Sequence, residues 1–500
     1  MMMKNLKLLF FQIMLIIGLI IGMNYLYQFV FLEKDLQKHS PIINLTRAVV
    51  KDSCEIVYID ASSNITMRWD DCDKRSISSF IADYFPDKKV GDITKPATHS
   101  GIYYELLRNI PQKSTVKTVI VAFNLRSFDA AWIYSSLETA LQKELVLLKD
   151  NPPLYNRFLL SFKGYDIKTE QERAMQLRER FKLDILKFPY PFPYKTVAEW
   201  DRMMASQIIP NPDSSSTINL TRLACDYIKT YAFQIDTLTN PRIKDYDNIV
   251  KLAKKRGWNL IFCFMAENVE KAQELVGKDL LFLMKQNRDL LVERYRRLGV
   301  TVVDNLSSLP NEEYIEQDWT TEHYAEKGRK IIARHVADSL KKFYPDSYKE
   351  VVYENKPMHE FFNDCEEDVL WGQQQTLTKE KFHSPKKSSK TGGIDPFGLT
   401  FEYAIAHLPD SIRQVTVEMY VYQNDTEHDA LFMLEIKGKE NNNLSHPLKT
   451  MSQTVKKWVK VQHTFVFDEN FYKNELIKIY LYNPSMTSIY VDDIHIRFEK

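Results

Sequence analysis

The stretch Glu55–Asn64, EIVYIDASSN, decides the fold. Ile56, Val57, Tyr58 and Ile59 are apolar or β-favouring and run without a break into a small, polar turn. An unbroken apolar run of that length predicts a strand buried on both faces, as in a parallel sheet. A serine just past such a strand stands at the carboxyl end of the sheet, where open α/β folds gather their ligands. Working outward, Thr118–Asn124 (TVIVAFN), Leu260–Met265 (LIFCFM) and Val300–Asp304 (VTVVD) repeat the pattern. Helical periodicity fills the gaps at 102–108, 245–256, 270–298 and 325–343. Strand, helix, strand is the rhythm of a parallel α/β unit.

That rhythm breaks over about 133–230, which reads as a charged, partly helical insertion carrying FPYPFPY at 188–194. Three alternating prolines exclude helix and central strand, so this piece is extended, its rings suited to a lid or to surface packing. From Met358 the texture changes again. Val415–Tyr422, Trp458–Phe467, Ile477–Tyr482 and Ile489–Phe498 alternate with period two and have no helices between them, which predicts an antiparallel sandwich over 358–500.

The amino terminus adds a third element. Leu8–Leu32 carries no charged residue, and at about 1.5 Å per residue it is long enough for a hydrocarbon core of about 30 Å. Lys4 and Lys7 precede it, so the positive-inside rule leaves residues 1–33 as a cytoplasmic stub and transmembrane anchor, with the bulk periplasmic or extracellular. Asn24-Tyr25-Leu26-Tyr27-Gln28 offers no small-residue cleavage site, which favours an uncleaved anchor over a signal peptide. Residues 34–53 read as a polar stalk, and 54–348 as the α/β unit.

Composition narrows the function classes. With 67 basic and 66 acidic residues the formal charge is +1, and no basic surplus points to nucleic acid. The five cysteines, Cys54, Cys72, Cys225, Cys263 and Cys365, have no metal-ligand spacing, so neither metal nor cofactor is expected. Cys54 and Cys72 bracket the Ser62 strand. An oxidising compartment would permit a disulfide there, and a pair of small buried thiols is the alternative. Asn44 and Asn219 head Asn-X-Ser/Thr triplets of a kind that chance supplies at this length.

With these pieces in place, the chain resembles the SGNH (GDSL-like) hydrolase superfamily. Asp60-Ala61-Ser62 stands where that family opens with Gly-Asp-Ser. Ala122-Phe123-Asn124 stands near its Gly-X-Asn-Asp, Gly101 at its lone oxyanion glycine, and His323-Tyr-Ala-Glu-Lys-Gly at its closing histidine block. The resemblance implies a three-layer α/β unit and a serine nucleophile, Ser62 or, reading one residue on, Ser63. It also implies His323 as base and an oxyanion site made by the Ser62 and Gly101 N–H groups and the Asn124 side chain. Such chemistry needs a base because a serine hydroxyl is a poor nucleophile, and imidazole titrates in the useful range. Each fixed oxyanion donor is worth about 3–4 kcal/mol.

The family's Asp-X-X-His is missing, since position 320 is threonine. Asp318 is the preferred orienting acid, and Glu322, adjacent to the histidine, the alternative. The carboxyl-terminal YVDDIHIRF, with Trp371, Gly372, Gly392 and Gly393, looks like part of a carbohydrate-binding jelly roll. The whole plan is similar to the alginate O-acetylation proteins, and the anchored unit to the lipoteichoic-acid D-alanylation protein. That implies an esterase or O-acyltransferase on acylated cell-surface or extracellular polysaccharide, with the membrane and a membrane acyl-transfer protein as partners. A non-catalytic glycan-binding scaffold that keeps the fold is the competing expectation.

Overall fold

The computed structural model describes residues 2–500 apart from 69–70, 163–166, 184, 212–217, 354–358, 367–370, 410 and 440. Trp69, Asp70 and Met358, the expected start of the sandwich, lie outside the described residues. The chain divides into two units, 1–66 with 76–350 and 67–75 with 351–500.

The first unit is built on a parallel sheet. Among the described residues it holds five strands: β1 (Ile56–Asp60), β2 (Val90–Thr94), β3 (Thr118–Phe123), β4 (Asn259–Phe264) and β5 (Thr301–Asp304). Their order is β2-β1-β3-β4-β5. Every residue of β1 and β3 is buried, which explains the unbroken apolar runs. The sequence order reverses between β1 and β3, and that reversal opens a crevice at the carboxyl ends of those two strands. The crevice is where Ser62 and Asn124 stand.

The helices are α1 (Met2–Val30), α2 (Leu32–His39), α3 (Ile43–Lys51), α4 (Ile77–Asp83), α5 (Ser100–Arg108), α6 (Ala130–Ile133), α7 (Leu137–Leu145) and α8 (Pro153–Phe162). There follow α9 (Glu170–Leu183), α10 (Val197–Ala205), α11 (Leu220–Tyr231), α12 (Pro241–Arg256), α13 (Val269–Leu275), α14 (Lys278–Arg297) and α15 (Glu326–Leu340). One core joins Val57, Val119, Phe123 and Phe262 to α5, α11, α12 and α14. Helices α4 and α15 pack together on the other side of the sheet. Local signals set the ends: Asn240 caps α12 through the Arg242 N–H, Pro241 sits in its first turn, and Gly257 ends it in the left-handed region at φ 69°.

Two expectations need correction, and one open alternative is narrowed. The segment 34–53 is no stalk: it forms α2 and α3, and Leu36, Ile43 and Val49 join the core of the first unit. The long helix expected over 270–298 is two, because Gly277 at φ 105° breaks it between α13 and α14. Of the two alternatives for Cys54 and Cys72, Cys54 is a buried thiol in the core of the first unit, and Cys72 packs on the core of the second.

The second unit is antiparallel. Its strands are β6 (Glu360–Asn363), β7 (Leu377–Thr378), β8 (Ser388–Thr391), β9 (Phe401–Ala404), β10 (Gln414–Gln423), β11 (Leu431–Gly438), β12 (Asn442–Pro447), β13 (Trp458–Val466), β14 (Asn474–Tyr482) and β15 (Ile489–Glu499). Among the described residues one sheet runs β13-β10-β15-β8-β7, with β6 also on β15, and the other β12-β11-β14-β9. Alternate residues of β10 and β11 (Val417, Met419, Val421; Phe432, Leu434, Ile436) point into the shared core. Trp371 is part of that core, edge-on to Phe401 at 5.1 Å.

Candidate active site

β1 ends at Asp60, and Ser62–Asn64 make one tight turn of 3-10 helix. The turn aims its three side chains in different directions. Ser62 Oγ lies 2.8 Å from His323 Nε2. Ser63 is buried, and its hydroxyl donates to both Asp60 oxygens at 2.8 Å. Asn64 Nδ2 donates to Thr94 Oγ1 at 2.8 Å while its oxygen accepts the Ser78 N–H at 2.9 Å, which ties the turn to β2 and α4. Of the two serines open from sequence, Ser62 faces the histidine.

Asp60, where the motif it resembles has glycine, holds the turn from inside. It accepts the Ala61 N–H at 2.6 Å in addition to the Ser63 hydroxyl, and Tyr58 O–H donates at 3.3 Å. Burial raises its carboxyl to about 7, against the downward pull of the Ser63 and Ala61 hydrogen bonds.

His323 lies on a segment that folds back on itself before α15. Tyr314 bridges Tyr324 in antiparallel fashion, and the Ile315 N–H donates to the His323 carbonyl at 3.0 Å. That pairing brings Glu316 opposite the histidine, with Glu316 Oε1 at 2.8 Å from His323 Nδ1. Thr321 Oγ1 donates to the other Glu316 oxygen at 2.6 Å. Burial alone would raise the Glu316 carboxyl, but the His323 and Thr321 hydrogen bonds win and hold it below its ordinary range. Both side chains remain partly open to solvent, so the arrangement is reachable from outside.

Neither sequence candidate for the orienting acid is on the imidazole. Asp318 is exposed. Glu322 is buried and ion-paired with Arg126, which also donates to the Thr320 carbonyl at 2.6 Å and lies 4.7 Å from the Trp132 ring centroid. Glu267, fully buried beside them, is pushed far above the usual carboxyl range by desolvation first and the Glu322 charge second; it accepts the Tyr231 hydroxyl at 2.5 Å. This buried cluster braces the 316–323 loop from behind.

The expected oxyanion donors divide. Ile59 pairs with Val121, so Ser62 and Asn124 each lie three residues past a matched pair on adjacent strands. The Asn124 side-chain oxygen is buried with no hydrogen-bond partner. Gly101 is different: its N–H donates to His99 Nδ1 at 3.1 Å, because His99 is the amino-terminal cap of α5. A donor spent on a cap is not aimed at substrate, so the structure does not support Gly101 in the oxyanion site. His99 in turn accepts from Arg242 at Nδ1 (2.7 Å) and faces Glu138 with Nε2 at 2.5 Å. With Nδ1 accepting, the ring is neutral, and burial, then the Arg242 charge, depress it to about 4. Among the described residues no group of three or more His, Cys, Asp or Glu is placed to hold a metal ion.

No family model matches the chain, and no curated protein matches it. Similar solved structures include the CBM22-1 xylan-binding domain of Paenibacillus barcinonensis Xyn10C, at 19% identity and TM-score 0.20, covering 25% of this chain and 80% of that one. A "xylan-binding module CBM15" is 10% identical at TM-score 0.19, covering 29% and 94%. A "Family 16 Carbohydrate Binding Module-2" is 12% identical at TM-score 0.18, covering 24% and 82%. A likeness of that size says nothing of what this chain binds.

Proposed function

We propose that the first unit is a serine acyl-ester hydrolase or O-acyltransferase of SGNH type, acting on acylated cell-surface or extracellular polysaccharide and tethered to a membrane by α1. The observation that carries this reading is the Ser62–His323–Glu316 relay, with both contacts at 2.8 Å. It is the arrangement a serine nucleophile needs: hydroxyl, imidazole, and a carboxylate on the far nitrogen.

His323 Nε2 accepts the Ser62 proton as Ser62 Oγ attacks the acyl carbonyl, and Glu316 holds the proton on Nδ1 and steadies the imidazolium. The carbonyl oxygen takes up negative charge, for which the Asn124 amide, at the end of the neighbouring strand, is the candidate side-chain donor. Collapse breaks the ester bond, and the leaving sugar oxygen takes the proton from His323 Nε2. The acyl group then sits on Ser62. Water or a second sugar hydroxyl, deprotonated by the same imidazole, attacks it and restores the serine.

A glycan suits the surroundings. Trp319 is exposed on the loop that carries Glu316 and His323, and an exposed indole is a stacking surface for a sugar ring. In the second unit the outward face of β10 and its neighbours pairs Tyr422 with Trp458 and with the buried Tyr490, and further along the same face Arg497 pairs with Glu418. His383 stacks on Tyr420 at 3.6 Å and already covers part of that face. The competing reading, a scaffold that only binds, draws on the engaged Gly101 N–H.

A fluorophosphonate probe on the full chain in detergent separates the two. Labelling lost in Ser62→Ala and kept in Ser63→Ala is expected. Absence of labelling in a folded wild-type chain decides for the binder.

A further inference from the structure

Helix α8 presents an apolar side that the fold does not use. At 100° per residue, Tyr155, Phe158 and Phe162 share one face, and they are 53%, 45% and 76% exposed. The opposite side does the packing: Asn156 is buried and Leu160 lies against the core of the first unit. Phe158 and Phe162 stack on each other with ring centroids 5.9 Å apart, a cluster facing outward. In a water-soluble setting three adjacent exposed aromatic rings are costly and would mark an interaction site.

Their position says what covers them. Helix α8 packs on α1. The Leu154 N–H, in its first turn, donates to Asn24 Oδ1 at 3.0 Å, and Arg157 pairs with Asp35 at 2.6 Å. The apolar segment of α1 runs Leu9–Val30, exposed apart from the half-buried Asn24 and the buried Tyr27; it is 22 residues or about 33 Å long, so Asn24 lies about 9 Å inside its outer end. An interfacial helix buries its apolar face about 5–10 Å into the boundary of headgroups and acyl chains. The depth of the contact and the depth such a helix occupies agree. Tyr25, Phe29 and Phe31 are exposed at the same level of the chain, and aromatic rings gather at that level of a bilayer. Lys34, Lys38 and Lys51 stand exposed on α2 and α3, as suits phosphate headgroups.

We propose that α8 is an interfacial helix whose Tyr155–Phe158–Phe162 face seats in the lipid bilayer, so that the first unit is held against the membrane at α8 as well as by α1. This rests on α1 being a retained membrane anchor. The apolar surface is then continuous from the spanning helix to α8, and lipid covers both.

The test uses the full chain reconstituted into liposomes of phosphatidylcholine and phosphatidylglycerol. Nitroxide labels go on Phe158→Cys, Phe162→Cys, Leu19→Cys and Leu238→Cys, each in a Cys72→Ser background, since the other four cysteines are buried. Leu238, 92% exposed, is the aqueous reference. Collision with oxygen against a water-soluble nickel chelate reports the surroundings of each label. Oxygen-favoured collision at 158 and 162, several-fold above that at 238, is the expected result. Labels at 158 and 162 that behave like 238 while 19 reports lipid would overturn the interfacial helix and leave the anchor standing. Labels shielded from both reagents would mean that a second copy of the chain, not lipid, covers the face, which also overturns it. An aqueous signal at 19 removes the anchor and the proposal together.

Discussion

Glu316→Gln isolates the most specific feature of the site. Glu316 makes one contact to the imidazole that the proposed mechanism uses as base, Oε1 to His323 Nδ1 at 2.8 Å, while Thr321 Oγ1 fixes its other oxygen at 2.6 Å. Glutamine keeps the shape. Held by Thr321 through its oxygen, however, its NH₂ would point at Nδ1, and the imidazole would answer with the tautomer that carries its proton on Nε2. That nitrogen faces the Ser62 hydroxyl and could no longer accept its proton. The analogous carboxylate-to-amide change in serine triads costs about 10⁴ in kcat. Glu316 is less enclosed than a buried triad acid, so water can partly compensate; the expectation is about 10³, or about 4 kcal/mol of barrier. The assay is p-nitrophenyl acetate hydrolysis under saturating conditions, with Asp318→Asn alongside and circular dichroism to confirm folding. Asp318→Asn, exposed and off the imidazole, should change kcat less than about twofold. A Glu316→Gln enzyme within a few-fold of wild type, or an Asp318→Asn enzyme with the large loss, would refute the assignment of the orienting acid.

Other outcomes follow from the same geometry. Asn124→Ala should lower kcat by about 10²–10³ if its amide meets the developing oxyanion, with KM little changed in the same assay. Glu322→Gln should act on stability instead: it strips the buried Arg126 of its counter-charge, a loss of about 3–5 kcal/mol that denaturant titration would register. Asp60→Asn tests a pH term. Because the folded Asp60 carboxyl is raised from 3.8 to about 7, its stabilising contribution is complete below about 4 and is lost as pH rises through about 7. The stability of Asp60→Asn relative to wild type should therefore climb between those values, by at most about 4 kcal/mol, and a flat difference in denaturation midpoints would contradict the raised carboxyl. Trp319→Ala should leave p-nitrophenyl acetate turnover intact while raising KM for an acetylated polysaccharide.

The strands that carry the site were legible because they are buried on both faces: IVYI, TVIVAF, LIFCF and TVV are nearly continuous apolar runs. β2 escaped notice because it is an edge strand, VGDIT, half-exposed and carrying a glycine and an aspartate. Helices α2 and α3 escaped because a few inward residues, such as Leu36, Ile43 and Val49, hold them to the core among polar neighbours. Glu316 had no local signature at all. It meets His323 because the Tyr314–Tyr324 bridge folds the loop, and no motif spacing encodes a contact made by a turn between two irregular segments.

Under the proposed SGNH reading, Asp60 takes over the support of the nucleophile turn. The Gly-Asp-Ser motif of that family has glycine and aspartate before the serine; here aspartate and alanine stand before Ser62. The carboxylate has moved one residue back into the end of β1, where Ile59 and Asp60 still pair with β2. From there it reaches forward over the turn, binding the Ala61 N–H and the Ser63 hydroxyl. Ala61 has φ −89°, not the positive φ that favours glycine, so the turn does not depend on a left-handed glycine. The second serine is thereby part of the support. It adds a third donor to the buried Asp60 carboxyl, beside the Ala61 N–H and the Tyr58 hydroxyl, and it leaves Ser62 as the hydroxyl directed at the imidazole.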